Sequence, residues 1–186
     1  MTTDTDKTDK ALSEFYKVIF LDIEGVVVTH KSILFNHTED NPYRGARKAN
    51  WSGYIDRLCL GLVYKLAHDY KAQIVVTSTL RKDKYCHTGL LSVAPTWLNM
   101  ITSEISALDY LSNAVTEHRS NREEEIAKFV EDFEVKQYVV FDDRALKCPN
   151  FVQVSPYDGL SLFDYNSAKP FLLDAGEEIK YEGIFL

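Results

Sequence analysis

The chain has 186 residues, 45% of them hydrophobic, with a net charge of −7 and a pI of about 5.2. That length and composition suit one globular domain with a sizeable core rather than a disordered chain, and the acidity argues against broad, non-specific binding to a nucleic-acid backbone. Cys59, Cys86 and Cys148 are odd in number and lack C-x-x-C spacing, so they read as free thiols with neither a disulfide framework nor a zinc site.

Met1 to Lys10 is polar and without apolar period, and residues 1–14 are expected to form a flexible tail ahead of a single domain over 15–186. No apolar run is long enough to span a membrane and the N-terminus does not resemble a signal peptide, so a cytoplasmic location without membrane partners is the expectation.

The first strand is expected over Lys17 to Asp22. Its apolar run, Val18 to Leu21, has no helical period, as in strands buried on both faces of a parallel sheet. It ends in Asp22, followed by Glu24 and Gly25. A carboxylate at the C-terminal end of such a strand lies where open α/β sheets bind ligands. Asp22 and Glu24 bracket one residue, so in an extended segment they point the same way. Two carboxylates so close repel unless a cation or a shared proton intervenes, and Mg²⁺ suits them. Gly25 to Phe35 is expected to continue extended or as a loop, with Val26, Val27 and Val28 favouring β conformation.

Asn36 to Ser52 is a polar insertion with a basic cluster, Arg44, Arg47 and Lys48, beside Tyr43 and Trp51. Such interleaving can grip phosphates and stack bases, and it also suits a solvated loop. Tyr54 to Tyr70 has the spacing of an amphipathic helix, with Ile55, Leu58, Cys59, Leu62, Val63, Leu66 and Ala67 on its apolar side. Gln73 to Val76 reads as a second buried strand. It runs into Thr77, Ser78, Thr79, Leu80, Arg81 and Lys82, hydroxyls and cations suited to a phosphate at a strand end, although Thr-Ser runs also cap helices.

Pro95 to Asn99 looks like the start of a short helix, and a third strand is expected somewhere between Ile101 and Val115. Ser120 to Glu123 has capping-box spacing ahead of a helix through Ile126, Phe129, Val130 and Phe133. Arg122 would lie in its first turn, a poor place for a cation in the helix dipole, which hints at a partner for it. Lys136 to Phe141 reads as another buried strand, ending in Asp142 and Asp143. Phe151 to Val154 is a short final strand, Ser155 to Leu160 a turn, and Asp164 to Leu173 a helix interrupted near Pro170.

Four motifs in this order resemble the haloacid dehalogenase (HAD) superfamily of phosphohydrolases. They are Phe20-Leu-Asp22-Ile-Glu24-Gly25, then Ile74-Val-Val-Thr77, then a basic residue, then Val139-Val-Phe-Asp142-Asp143. For the basic residue Arg122 fits best by spacing, with Lys128 and Lys136 also open. The resemblance spans roughly Lys17 to Leu173. It implies an α/β, Rossmann-like, mainly parallel sheet flanked by helices without a large cap domain. It also implies phosphate monoester hydrolysis through an aspartyl-phosphate. By that resemblance Asp22 is the nucleophile and Glu24 the acid and base. Mg²⁺ lies against Asp22, Asp142 and the Glu24 carbonyl, with Asp143 supporting, while Thr77 and Arg122 hold phosphate oxygens. The superfamily usually has Asp where this chain has Glu24, although enolase-phosphatases are similar in carrying Asp-Ile-Glu-Gly.

The strings around Thr77 to Arg81, Asn121 to Ile126 and Gly159 to Ser161 narrow the resemblance to small phosphatase domains linked to RNA repair. Polynucleotide kinase-phosphatases carry relatives of these. The implied substrates are RNA or DNA 3′-phosphate ends, with Ser78, Arg81, Arg44 and Arg47 as further substrate contacts. A small nucleotide or metabolite phosphatase, or a non-catalytic HAD-like protein binding phosphate or metal, is the alternative.

Overall fold

The computed structural model describes residues 15–35, 54–82, 111–116 and 121–179. The N-terminal tail, the basic cluster of Arg44, Arg47 and Lys48, and the helix expected from Pro95 lie outside the described residues. Five strands, β1 (Lys17–Leu21), β2 (Gln73–Val76), β3 (Leu111–Val115), β4 (Gln137–Asp142) and β5 (Phe151–Gln153), form one sheet in the order β3-β2-β1-β4-β5. Every pairing is parallel. The helices are α1 (His30–Phe35), α2 (Arg57–Tyr70), α3 (Arg122–Asp132) and α4 (Leu162–Ala168), the last continuing into a 3₁₀ turn over Lys169–Leu172.

The continuous apolar strands are explained by a core on each face. Ile19 and Leu21 of β1, Ile74 and Val76 of β2, and Val139 and Phe141 of β4 pack with α2 and α4 through Cys59, Leu60, Val63, Leu66, Tyr165 and Ala168. The alternate residues Val18, Phe20, Val75 and Val140 face the other way, against Ile126 and Phe129 of α3. Side chains alternate across a strand, so only a strand covered on both faces is apolar at every position.

Helix ends follow local chemistry. Asp56 caps α2, its carboxylate accepting from the Leu58 and Cys59 N–H groups at 2.9 and 3.3 Å, so the helix starts at Arg57 rather than at Tyr54. Asn121, not Ser120, caps α3, its Oδ1 accepting from the Glu124 N–H at 2.7 Å. Of the extended and looped alternatives for the segment after Gly25, the loop holds as far as Thr29, and α1 then replaces both. The Ile23 carbonyl accepts the N–H groups of Val27 and Val28 at 3.0 and 2.9 Å, which closes a turn despite the β-branched run. Thr29 and Ser32 then exchange hydrogen bonds, the Ser32 N–H donating to Thr29 Oγ1 at 2.9 Å and the Thr29 N–H to Ser32 Oγ at 3.0 Å, and so start α1.

Register is what positions the site. Leu21 lies level with Val76 on one side and with Phe141 on the other. The Asp22 N–H donates to the Phe141 carbonyl at 3.0 Å and the Thr77 N–H to the Leu21 carbonyl at 2.9 Å. The residues that end β1, β2 and β4 are therefore brought together. The chain leaves β1 towards β2 and β3 and returns to β4 on the opposite side, so the β1–β4 boundary is the switch point where open α/β sheets form their ligand crevice.

Phe20 is fully buried and meets Phe129 and Tyr138 edge-on, with ring centroids 5.5 and 5.7 Å apart. Phe20→Ala is expected to cost about 3–5 kcal/mol, as a large cavity in a packed core does. A denaturant midpoint shift with unchanged slope would show it. A loss well under about 1 kcal/mol would mean that α3 does not pack on this face of the sheet.

Candidate active site

Asp22 follows β1 directly and is buried, as are Thr77 after β2 and Asp142 at the end of β4. One carboxylate oxygen from each of Asp22, Asp142 and Asp143 lies within 4.8 Å of the others. Asp22 Oδ1 accepts from the Ile23 N–H at 2.8 Å, and Asp142 Oδ1 from the Arg144 N–H at 2.9 Å. Backbone groups thus fix one oxygen of each and leave the other turned towards the cluster.

Arg122 holds those other oxygens. Its Nη1 is 2.6 Å from Asp22 Oδ2 and also contacts Asp142 Oδ2. This answers the misplaced charge in the first turn of α3, which is anchored on two carboxylates across the sheet end. Burial works against the guanidinium's charge, but Asp22 and Asp142 outweigh it and raise its pKa. The two other basic candidates lie elsewhere. Lys128 pairs with Asp132 at 2.6 Å, and Lys136 with Glu134 at 3.6 Å. Removing Arg122 would leave two buried carboxylates unpaired, a loss that in other proteins costs about 3–5 kcal/mol.

One guanidinium does not balance three carboxylates. Burial, and then the charge of Asp22, push the Asp142 carboxyl up to about 6 even though Arg122 and the Arg144 N–H favour its ionised form. A cluster of hard oxygen donors with residual negative charge fits a hard divalent cation. Asp22, Asp142 and Asp143 could hold such an ion, and Glu24 contributes no carboxylate oxygen to that group.

Asp22 and Glu24 do face the same way, as their spacing predicts. Both line a cleft of about 290 Å³ together with Gly25, His30, Asp143 and Arg144. Glu24 is half-buried, and Thr79 Oγ1 donates to its Oε2 at 3.4 Å. Its carboxyl is raised by burial and then by Asp22, against the opposing pulls of Thr79 and Arg144. Ser78 is buried, and its Oγ accepts from the Leu80 N–H at 3.2 Å, so it caps the 3₁₀ turn over Thr79–Lys82. Arg81 belongs to that turn, but its side chain, like all of Arg44 and Arg47, lies outside the described residues. Thr79 belongs to the hydroxyl run that the sequence marks at the end of β2, but its partner is Glu24. His30 and Arg144 have no such place in the sequence reading, and of these two only Arg144, following two aspartates at a strand end, carries a local signal.

The family model described as the HAD domain in Swiss Army Knife RNA repair proteins matches residues 18–164. The chain belongs to that family. The match runs from β1 into α4 and so takes in all four motifs. It supports a phosphatase-type hydrolase connected with RNA repair. No curated protein and no solved structure matches the chain. No helix among the described residues is long and apolar enough to cross a membrane.

Gly25 packs directly against Asp143 in this HAD domain's site. It has φ +77°, and a Cβ there would lie 2.6 Å from both Cβ and Cγ of Asp143. Gly176 also has a positive φ, +94°, but nothing lies within 4 Å of its would-be Cβ. Ala at either position bears backbone strain, and only at Gly25 must Asp143 also move. Gly25→Ala is therefore expected to weaken divalent-cation binding roughly tenfold or more, while Gly176→Ala changes only stability. Calorimetric titration with Mg²⁺ compares the two. Equal cation affinity in both variants would contradict the role given to the close approach.

Proposed function

We propose that the chain is a Mg²⁺-dependent phosphatase that removes the terminal 3′-phosphate of RNA or DNA through an aspartyl-phosphate on Asp22. The observation that carries this reading is the pairing of Asp22 and Glu24 in one cleft under different influences. Asp22 is held by a guanidinium, whereas the Glu24 carboxyl is raised by burial and by Asp22. A nucleophile must be ionised and a general acid protonated, and environments that differ in this way favour the division of labour.

Asp22 attacks phosphorus, and the ester P–O bond breaks. Glu24 delivers its proton to the departing sugar oxygen. Glu24, now ionised, takes a proton from water as that water attacks the aspartyl-phosphate, and inorganic phosphate leaves with Asp22 restored. Arg122 draws charge from the phosphoryl oxygens, and Thr77, bonded through its N–H to the Leu21 carbonyl at the end of β2, holds another of them. Mg²⁺ held by Asp22, Asp142 and Asp143 would supply charge neutralisation for a dianionic ester that these carboxylates otherwise repel. Thr79 keeps the Glu24 carboxyl from swinging freely, which matters because Glu has one more rotatable bond than the Asp usual at this position.

The size of the cleft bears on the substrate. About 290 Å³ is at the small end for ligand sites. It has room for a terminal phosphate and its sugar. A family defined in RNA repair proteins makes a polynucleotide end the first choice over a free sugar phosphate. The basic residues Arg44, Arg47 and Arg81 would then bind the chain beyond its last nucleotide, with modest, salt-sensitive affinity in so acidic a protein.

Phosphate release from a 3′-phosphorylated oligonucleotide, 3′-mononucleotides and sugar phosphates, with and without Mg²⁺, tests this. The oligonucleotide should be preferred, and Asp22→Asn should abolish turnover. Glu24→Gln should lower kcat by about 10²-fold or more with little change in KM, since it removes a proton and not a contact. Turnover by Asp22→Asn at the wild-type rate would sink the mechanism. Preference for sugar phosphates would leave a metabolite phosphatase.

A further inference from the structure

Two arginines stand near the site in opposite circumstances. Arg122 is committed to Asp22 and Asp142. Arg144 is exposed, lines the cleft, and makes no side-chain hydrogen bond or ion pair among the described residues. Its backbone is nonetheless fixed, because its N–H donates to Asp142 Oδ1 at 2.9 Å. Its charge already reaches into the cleft, where it acts on Glu24. His30 lines the same cleft from the start of α1, anchored by its N–H to the Pro156 carbonyl at 3.1 Å. Its imidazole is exposed and also without a partner among the described residues.

Of the carboxylates in this cleft, Asp22 is engaged by Arg122 and the Ile23 N–H, and Glu24 by Thr79. The unspent donors of Arg144 and His30 therefore face whatever enters. A guanidinium offers a planar fork that matches two phosphate oxygens, and an imidazole N–H adds a third donor.

We propose that Arg144 and His30 form a subsite for a second phosphate, the phosphodiester next to the terminal phosphate of a polynucleotide. The subsite rests on the phosphatase reading and sharpens it, because it assigns the preference for a chain end over a mononucleotide to two particular side chains. Arg122 serves the scissile group, and Arg144 reads the linkage that only a polynucleotide possesses.

Steady-state phosphate release in Mg²⁺ tests the assignment with three substrates: a nucleoside 3′-phosphate, a nucleoside 3′,5′-bisphosphate and a 3′-phosphorylated dinucleotide. The wild type should favour the dinucleotide over the nucleoside 3′-phosphate in kcat/KM. Arg144→Ala should cut that ratio roughly tenfold, mainly through KM. Arg144→Lys should recover part of it, as charge without the fork, and serves equally if the alanine variant folds poorly. His30→Ala should cut it less. The bisphosphate separates the sources of preference: if it gains as much as the dinucleotide, the second phosphate suffices, as proposed. If only the dinucleotide gains and Arg144→Ala leaves that gain intact, the second base is responsible and the proposal fails. A ratio unchanged in Arg144→Ala, with both rates reduced alike, would overturn it by showing that Arg144 acts only on Glu24 or Asp142. Absence of phosphate release from all three substrates would instead overturn the phosphatase reading, and the subsite with it.

Discussion

Parallel register forces acidic side chains together at one end of this sheet. Leu21 is level with both Val76 and Phe141, so the next residues along β1 and β4 put Asp22 and Asp142 side by side, with Asp143 immediately after. The apolar contacts that hold this register lie on both faces of the sheet and have nothing to do with charge. Folding is therefore driven by burial, and the electrostatic cost is localised at the strand ends. Arg122 offsets part of that cost from the far side of a helix–sheet packing. What remains is seen in Asp142, whose carboxyl stays raised in spite of its guanidinium partner.

A site held under residual repulsion has chemical uses. It would attract a divalent cation, and a bound cation would admit a phosphate dianion that the bare carboxylates exclude. The same burial that raises Asp142 raises Glu24 as well, and a carboxyl that retains its proton can act as an acid. Precision at this point is steric. Gly25 takes its positive φ where Asp143 leaves no space for a side chain, so the turn after β1 and the acidic pair after β4 define each other.

Much of this arrangement is legible in sequence, for a physical reason. β1, β2 and β4 are buried on both faces, so each stands out as an uninterrupted apolar run, and the polar residue that ends each run marks the crevice. The charge of Arg122, wrongly signed for the first turn of a helix, points to a partner, and the partners are Asp22 and Asp142. β3, Leu-Ser-Asn-Ala-Val, has no such run and could only be expected within a broad window. The turn after Gly25 misleads because Val26 to Val28 favour strands one by one, whereas carbonyl sharing at Ile23 and the Thr29–Ser32 exchange are decided by geometry. Thr79 meets Glu24 across 55 residues of sequence, and His30 reaches the cleft from the start of α1 and Arg144 from the segment after β4. No local pattern announces such convergence.

Repulsion among these carboxylates is what a divalent cation would relieve. The Asp142 carboxyl stands above its ordinary 3.8, at about 6, so without metal its protonation favours the folded state. That contribution is present below about pH 4 and is lost as pH rises through about 6. A cation competes with the same proton, so it should stabilise little at pH 5 and increasingly towards pH 8. Thermal melting with and without Mg²⁺ across this range measures it directly. The account predicts a Mg²⁺-induced rise in Tm that grows through about pH 6 and disappears in Asp142→Asn. A rise that is independent of pH, or one that survives in Asp142→Asn, would contradict it.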